Sequence, residues 1–271
     1  MPESPEITCR AREMKAQLVG RTISGIEVLQ PKCLNVTVDE FEKGLVGAEI
    51  RDVTHHGKWL IAETTNGDFL LNLGMGGEVL LVPHDEMPEK WRVRLDFTDG
   101  QSLAINFWWF GYTHYAPPGG LESHSLSAVL GPNALDVSLK DFRALLAGRR
   151  GRIKSFLLDQ KRIAGIGNAY VHDILFRARL HPLRTIPTMS DGDIKGLHQA
   201  IRTEFTRSIK KRAAAYELDI FGRPGGFSAE DLLVGYREGK SCPECGTTIE
   251  KIKTGSTSSF ICPSCQPLVR S

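Results

Sequence analysis

The stretch Lys154-Ser155-Phe156-Leu157-Leu158-Asp159-Gln160-Lys161-Arg162-Ile163-Ala164-Gly165-Ile166-Gly167-Asn168 carries the fold of the second half of the chain. Lys154–Gln160 reads as a short helix and Asn168–Arg179 as another, with Tyr170, Ile174, Leu175 and Ala178 on one face. Between them lie two glycines one residue apart, which let the backbone turn sharply and point its amides outward at the start of the next helix. Such an end carries partial positive charge and suits a phosphate. Asn168 can add a side-chain donor. A Gly-x-Gly is by itself also a plain helix–helix turn, so the motif acquires meaning only from its surroundings.

Those surroundings are helical and locally basic. Ser138, with Asp141 three residues on, caps a helix through Leu146. Ser190 caps a longer helix that is expected to run to about Ala214. Arg149, Arg150, Arg152, Lys154, Lys161 and Arg162 form one basic cluster, and Arg202, Arg207, Lys210, Lys211 and Arg212 form another. A polyanion or a solvated helix face would each account for them. Tyr216–Ser228, rich in glycine, reads as a loop long enough to move as a lid.

Further on, Cys242-x-x-Cys245 and Cys262-x-x-Cys265 are separated by sixteen residues. Paired thiolates at this spacing predict tetrahedral four-cysteine ligation of one Zn2+. Four thiolates leave no open position for a catalytic water, so the zinc is structural and holds a small hairpin finger. Cys9 and Cys33 stand alone and read as small core residues.

Before Ala116-Pro117-Pro118-Gly119-Gly120 the pattern is different. Ile7–Leu18 reads as a helix; Thr22–Leu29, Asn35–Val38 and Ile50–His55 read as strands. Lys58–Thr64 and Asp68–Leu73 flank Asn66-Gly67, and Arg92–Thr98 and Ser102–Phe107 flank Asp99-Gly100, which predicts two hairpins. Val93, Leu95 and Phe97 alternate with Arg94 and Asp96, and Leu103, Ile105 and Phe107 repeat the alternation, as in half-buried antiparallel strands. The first part of the chain is therefore expected to be a β-rich sandwich.

With 271 residues, 41% hydrophobic and 24% charged, the composition is that of a globular protein with room for two cores. No apolar run approaches the ~20 residues of a membrane span. The N-terminus has no basic-then-apolar pattern of a secretion signal, so an intracellular location is expected: cytoplasmic, and nucleoid-associated if bacterial. A net charge of +2 decides nothing. Nothing in the sequence suggests more than a monomer.

The extreme N-terminus, Met1-Pro2-Glu3-Ser4-Pro5-Glu6, is short enough to be an ordinary frayed end. It also holds a candidate nucleophile. Removal of Met1, expected before a residue as small as proline, would make Pro2 a free secondary amine. An α-amino group titrates near pH ~8, and unprotonated it can attack a carbon to form an iminium. Glu3 is placed beside it as a proton shuttle.

Lys154-x-x-x-Leu158-Asp159-Gln160-x-x-x-Ala164-Gly165-Ile166-Gly167-Asn168-x-Tyr170, followed by Leu175-Phe176-Arg177-Ala178-x-Leu180-His181-Pro182, closely resembles the helix–two-turns–helix segment of the formamidopyrimidine-DNA glycosylase/endonuclease VIII family, as a divergent member. Met1-Pro2-Glu3-x-Pro5-Glu6, Gly57-Lys58, Leu73-Gly74-Met75-x-Gly77, Leu130-Gly131-Pro132 and the four-cysteine finger fall in the family's order. The resemblance covers nearly the whole chain. It implies an α+β protein of two domains: an N-terminal β-sandwich with a first helix, then a helix–two-turns–helix domain with a four-cysteine zinc finger. The expected segments are 1–120 (catalytic), 121–230 (helical, DNA-binding) and 231–271 (finger).

The resemblance further implies a bifunctional DNA glycosylase and abasic-site lyase of base excision repair, acting by base flipping on duplex DNA that holds damaged bases or abasic sites. Pro2 would attack C1′, Glu3 would assist ring opening, and Glu6 would position the lesion or the first helix. Lys58 and Asn168 would hold the lesion phosphate, with Lys154 among the DNA contacts. Met75 would fill the gap left by the flipped nucleotide and Phe110 would wedge between bases. Without the resemblance, Lys58 reads as a hairpin surface charge, Met75 and Phe110 as core residues, and Glu6 as an acid favoured in a first helical turn. His55, His56 and His181 receive no catalytic role.

Three positions depart from the family. Many members have Arg-Arg-Phe-Gly where this chain has Trp108-Trp109-Phe110-Gly111. Trp109 could stack on the base opposite the lesion but could not hydrogen-bond it as arginine does. Thr257 stands where the finger commonly presents an arginine, and Asn72 where a histidine commonly precedes Leu-Gly-Met. The chemistry is thus expected to be retained and the lesion range altered. A non-catalytic binder of damaged or distorted DNA, and an enzyme directed at RNA or single strands, stay open at this stage.

Overall fold

The computed structural model describes residues 1–108, 110–255 and 257–268. They fall into two compact units: Met1–Val129 with Arg212–Gly226, and Leu130–Lys211 with the remainder from Phe227.

In the first unit, α1 spans Ser4–Leu18 and starts three residues earlier than the sequence pattern predicts. Glu6 causes this by reaching back to the N–H of Glu3 (2.9 Å), with proline in the first turn, where its missing N–H costs nothing. Two four-stranded antiparallel sheets follow. One has the order β1 (Ile23–Val28), β6 (Val93–Phe97), β7 (Gln101–Asn106), β5 (Glu78–Pro83); the other runs β2 (Ile50–His56), β3 (Trp59–Thr64), β4 (Gly67–Asn72), β8 (Tyr112–Ala116). Val53, Leu60 and Leu71 from the second sheet share a core with Val79, Leu95 and Ile105 from the first, so the unit is a β-sandwich.

Four details differ from expectation. Asn35–Val38 is not a strand: Thr37 instead caps α2 (Val38–Leu45), accepting from the N–H of Glu40 while Glu40 returns to the N–H of Thr37. β5 and β8 lacked a recognised turn signal. In the β3–β4 hairpin Thr64 pairs with Gly67, so the loop residues are Thr65 and Asn66, and Gly67 alone takes positive φ (114°). Lys58 belongs to the two-residue turn between β2 and β3, since His56 pairs with Trp59 and Gly57 has φ 58°.

The second unit holds α3 (Leu139–Leu146), α4 (Ile153–Leu158), α5 (Val171–Arg177), α6 (Asp191–Lys210), and the finger hairpin β9 (Glu250–Thr254) and β10 (Thr257–Ile261). Ser138 and Ser190 cap as expected, accepting from Asp141 N and Asp193 N (both 3.1 Å). α6 stops at Lys210, short of Ala214, because Arg212 and Ala213 take φ of 61° and 71°, which no helix continues. α4 and α5 are each trimmed by the turn between them. There Gln160 accepts from Gly165 N (2.9 Å) and donates to the carbonyls of Ile166 (2.7 Å) and Leu158 (3.1 Å). One glutamine thus does the work of several backbone bonds and fixes the Gly-x-Gly loop.

Arg212–Gly226 returns to the first unit. Ile220 is fully buried in the sandwich core; its N–H meets Glu13 (3.2 Å) and its carbonyl accepts from Leu81 N (2.7 Å). The loop expected to act as a lid is therefore pinned at its middle.

Candidate active site

The first unit gathers the N-terminal candidates. Glu6 uses one oxygen for Glu3 N and the other for Ala214 N (3.2 Å), which ties residue 3 to the returning segment. Pro2, Glu3 and Glu6 are buried. Lys58 Nζ lies 3.9 Å from Met1 Sδ, so the β2–β3 turn places its ammonium over the start of the chain. Cys9, nearby on α1, is pushed up to about 11 by burial first and by Glu13 and Glu6 next, so it stays a thiol and offers no competing nucleophile.

Two loops of the same unit carry apolar side chains into solvent. Met75 is 49% exposed, Trp108 71% and Phe110 66%. They are not core residues, and large apolar side chains exposed together on neighbouring loops are a common mark of an interaction surface. Trp108 N donates to Met75 O (3.3 Å), which joins the loops. Two glycines hold the shape: a Cβ at Gly77 would come 1.9 Å from Leu73 O, and one at Gly111 would come 2.1 Å from the Phe107 ring. Phe110 takes φ of 56°, a strained value for an aromatic residue. Asn72 is occupied in the turn, where its Oδ1 accepts from Gly74 N (3.0 Å). Trp109 lies outside the described residues. Trp108, to which the sequence pattern assigns no role, is the indole found beside Gly76.

In the second unit Asn168 is half-buried at the end of the Gly-x-Gly loop, and its Oδ1 has no hydrogen-bond partner among the described residues. Lys154 is the largest surprise. Its side chain is 3% exposed, and its ammonium donates to Ser258 O (2.7 Å), Ser259 Oγ (2.8 Å), Thr257 Oγ1 (3.1 Å) and Thr254 Oγ1 (3.2 Å). It is committed to the finger hairpin and is not displayed on a basic surface. Burial lowers its pKa to about 8. Thr257 is thereby a hairpin residue that faces Lys154.

The four finger cysteines bring their sulfurs within 4.8 Å of one another, with Cys245–Cys262 at 3.4 Å, Cys245–Cys265 at 3.5 Å and Cys242–Cys265 at 3.9 Å. A tetrahedral zinc with bonds of about 2.3 Å separates its sulfurs by about 3.8 Å. The set therefore fits one Zn2+ with sulfur shifts of no more than about an ångström, and four sulfurs complete its shell.

Comparison with known proteins agrees with this arrangement. Three family profiles match in order: the formamidopyrimidine-DNA glycosylase N-terminal domain over residues 1–106, its H2TH domain over 130–218, and the zinc finger found in FPG and IleRS over 239–268. A formamidopyrimidine-DNA glycosylase of Magnetococcus marinus is 36% identical, covering 98% of this chain and 99% of that one. One of Chloroflexus aurantiacus is 37% identical, covering 98% of each. The solved structure of Lactococcus lactis Fpg in complex with DNA containing an abasic site superposes with a TM-score of 0.89 at 28% identity, covering 98% of this chain and 100% of that one. The chain belongs to the formamidopyrimidine-DNA glycosylase family.

Proposed function

We propose that the protein is a DNA glycosylase of base excision repair, with abasic-site lyase activity, that works through its N-terminal proline and carries one structural zinc. Its partner is duplex DNA containing damaged bases or abasic sites, which it engages as a monomer. The carrying observation is the cluster of Glu3, Glu6 and Lys58 around the start of the chain. Once Met1 is removed, the Pro2 nitrogen attacks C1′ of the damaged nucleotide and the base departs. Glu3 passes the proton from that nitrogen to the ring oxygen O4′ as the sugar opens to an iminium. β-Elimination, and δ-elimination after it, then cut the strand. Glu6 holds Glu3 and Ala214 in register, and Lys58 neutralises the phosphate adjoining the lesion; Asn72 and Asn168 each offer a side-chain amide donor to DNA phosphates.

Met75 supports base flipping by filling the gap that the nucleotide leaves, and Phe110 by wedging between bases of the opposite strand, against an unstacking cost of roughly a few kcal/mol. Trp109 in place of an arginine supports relaxed reading of the opposite base. Lys154 acts on DNA through the shape of the hairpin that carries Thr257. We assign 1–120 as the catalytic segment, 121–230 as the helical DNA-binding segment and 231–271 as the finger. No described helix is long and apolar enough to cross a membrane; a DNA substrate places the enzyme inside the cell.

Borohydride trapping on a duplex with an abasic site tests the mechanism. The wild-type protein is expected to become covalently attached, and Pro2→Gly or Glu3→Gln to trap far less. Zinc-loaded wild-type protein that binds the duplex but never traps would be a non-catalytic binder instead.

A further inference from the structure

The second unit carries a groove of about 600 Å³ between the end of α3 and the start of α6. That volume lies in the range of ligand sites. Its floor is apolar: Leu146 and Ile186 are buried, and Met189 and Ile194 are half-buried against the same core. Its rim is basic, with Arg143, Arg149 and Arg150 against a single carboxylate, Asp191. Arg143 is already engaged, giving Nε and a terminal nitrogen to Asp191 (2.7 and 2.8 Å). Arg149 commits only its Nε, which donates to Leu145 O (2.7 Å) and closes the last turn of α3. Among the described residues, neither its two terminal nitrogens nor the exposed Arg150 has a hydrogen bond or ion pair.

The walls are held together by backbone bonds. Ile186 N donates to Gly151 O and Ile153 N to Arg184 O (both 2.9 Å), so the arginine-bearing loop lies beside the strip from Ile186 to Met189. These bonds sit at the N-terminal end of α4. The Gly-x-Gly loop follows the C-terminal end, about 9 Å away along a six-residue helix. The groove is therefore separate from the loop that carries Asn168.

Uncommitted guanidinium donors over an apolar floor select a ligand that has both carboxylates and a large apolar side chain. A nucleic-acid backbone supplies anions but nothing for the floor. An acidic peptide with an apolar residue supplies both: the apolar side chain anchors it, and carboxylates pair bidentately with the arginines around it. We propose that this groove is the docking site for an acidic, apolar-anchored segment of a partner protein, and that it stays open to that segment when DNA is bound.

Fluorescence anisotropy tests this on the full-length, zinc-loaded protein, with a labelled hexapeptide of four aspartates followed by leucine and phenylalanine. Saturable binding of one peptide per chain is expected. It should weaken at least tenfold with Arg150→Glu, with asparagines in place of the aspartates, or with two serines in place of Leu-Phe. Met189→Gln should weaken it at least threefold. Because Arg150 makes no internal bond, its variant should keep the wild-type Tm. Excess abasic duplex should leave the peptide bound. No saturable binding up to about 1 mM peptide would overturn the proposal, as would unchanged affinity in Arg150→Glu. So would equal binding of the Leu-Phe and serine peptides, which marks plain attraction between charges. Displacement by the duplex would overturn it too, by making the groove part of the DNA surface.

Discussion

Lys154→Met separates two ways in which a lysine can serve a DNA-binding protein. A lysine on a phosphate releases a counterion on binding, and its removal lowers the slope of log Kobs against log[salt] by about 0.9. A lysine that braces the protein leaves the slope alone. Lys154 is 3% exposed and gives its donors to four hairpin oxygens, so the variant should bind DNA about three- to tenfold more weakly at every salt concentration with an unchanged slope.

Its effect on stability comes from two opposed terms. A pKa lowered from 10.5 to about 8 means that burial costs the ammonium about 3 kcal/mol, which methionine recovers. Against that, Ser258 O and Thr257 Oγ1 lose a partner, at about 1–3 kcal/mol, whereas Thr254 Oγ1 and Ser259 Oγ keep each other at 2.8 Å. Global stability at pH 7 should therefore stay within about 2 kcal/mol of wild type. The pH dependence fixes the sign. Between about pH 8 and 10.5 the unfolded lysine binds a proton that the folded one has released, so wild-type stability gains on the variant by about 3 kcal/mol across that window. Urea melts at pH 7 and 10.5, with anisotropy titrations over a salt series, provide the readouts. A slope reduced by about 0.9, or a loss beyond about 3 kcal/mol at pH 7, would refute the bracing role.

Two further outcomes are expected. His172 is 1% exposed, lies edge-on to the Phe260 ring (5.2 Å) and the Tyr236 ring (5.7 Å), and has no partner for either ring nitrogen among the described residues. His172→Phe should add about 1 kcal/mol of stability and raise Tm by a few degrees in a thermal melt; a lower Tm would reveal a hidden partner. Burial first, and Lys154 second, lower the His172 pKa to about 3. Between pH 6.5 and 3 only the unfolded imidazole binds a proton, so acid destabilises the wild type more than the phenylalanine variant. Chelation should release one zinc per chain and abolish amide-exchange protection in β9 and β10, because the finger's own apolar cluster is small, resting on Phe176, Val234, Ile249 and Phe260. Protection that survives complete zinc loss would contradict a metal-dependent hairpin.

What the sequence revealed followed how local each signal is. The cysteine spacing and the caps at Ser138 and Ser190 sit within a few residues and were legible. So was Thr37-Val38-Asp39-Glu40, whose capping box should have outweighed the β-branched residues that suggested a strand. Lys154 was misleading because a basic neighbourhood says nothing of burial, and its four acceptors lie about a hundred residues away. The return of Arg212–Gly226 carried no signal at all: positive-φ residues Arg212 and Ala213 turn the chain back, and Ala214 N then meets Glu6.

That return has a consequence for how the chain can be divided. A fragment ending at residue 129 would hold both sheets and α1 yet lack Ile220, leaving a hole in its core and Glu6 with no Ala214 to bind. The sandwich unit is thus not a cassette that recombination could move alone. It is finished by a plug encoded some ninety residues downstream, so a split version should regain its fold only when a peptide covering 212–226 is supplied in trans.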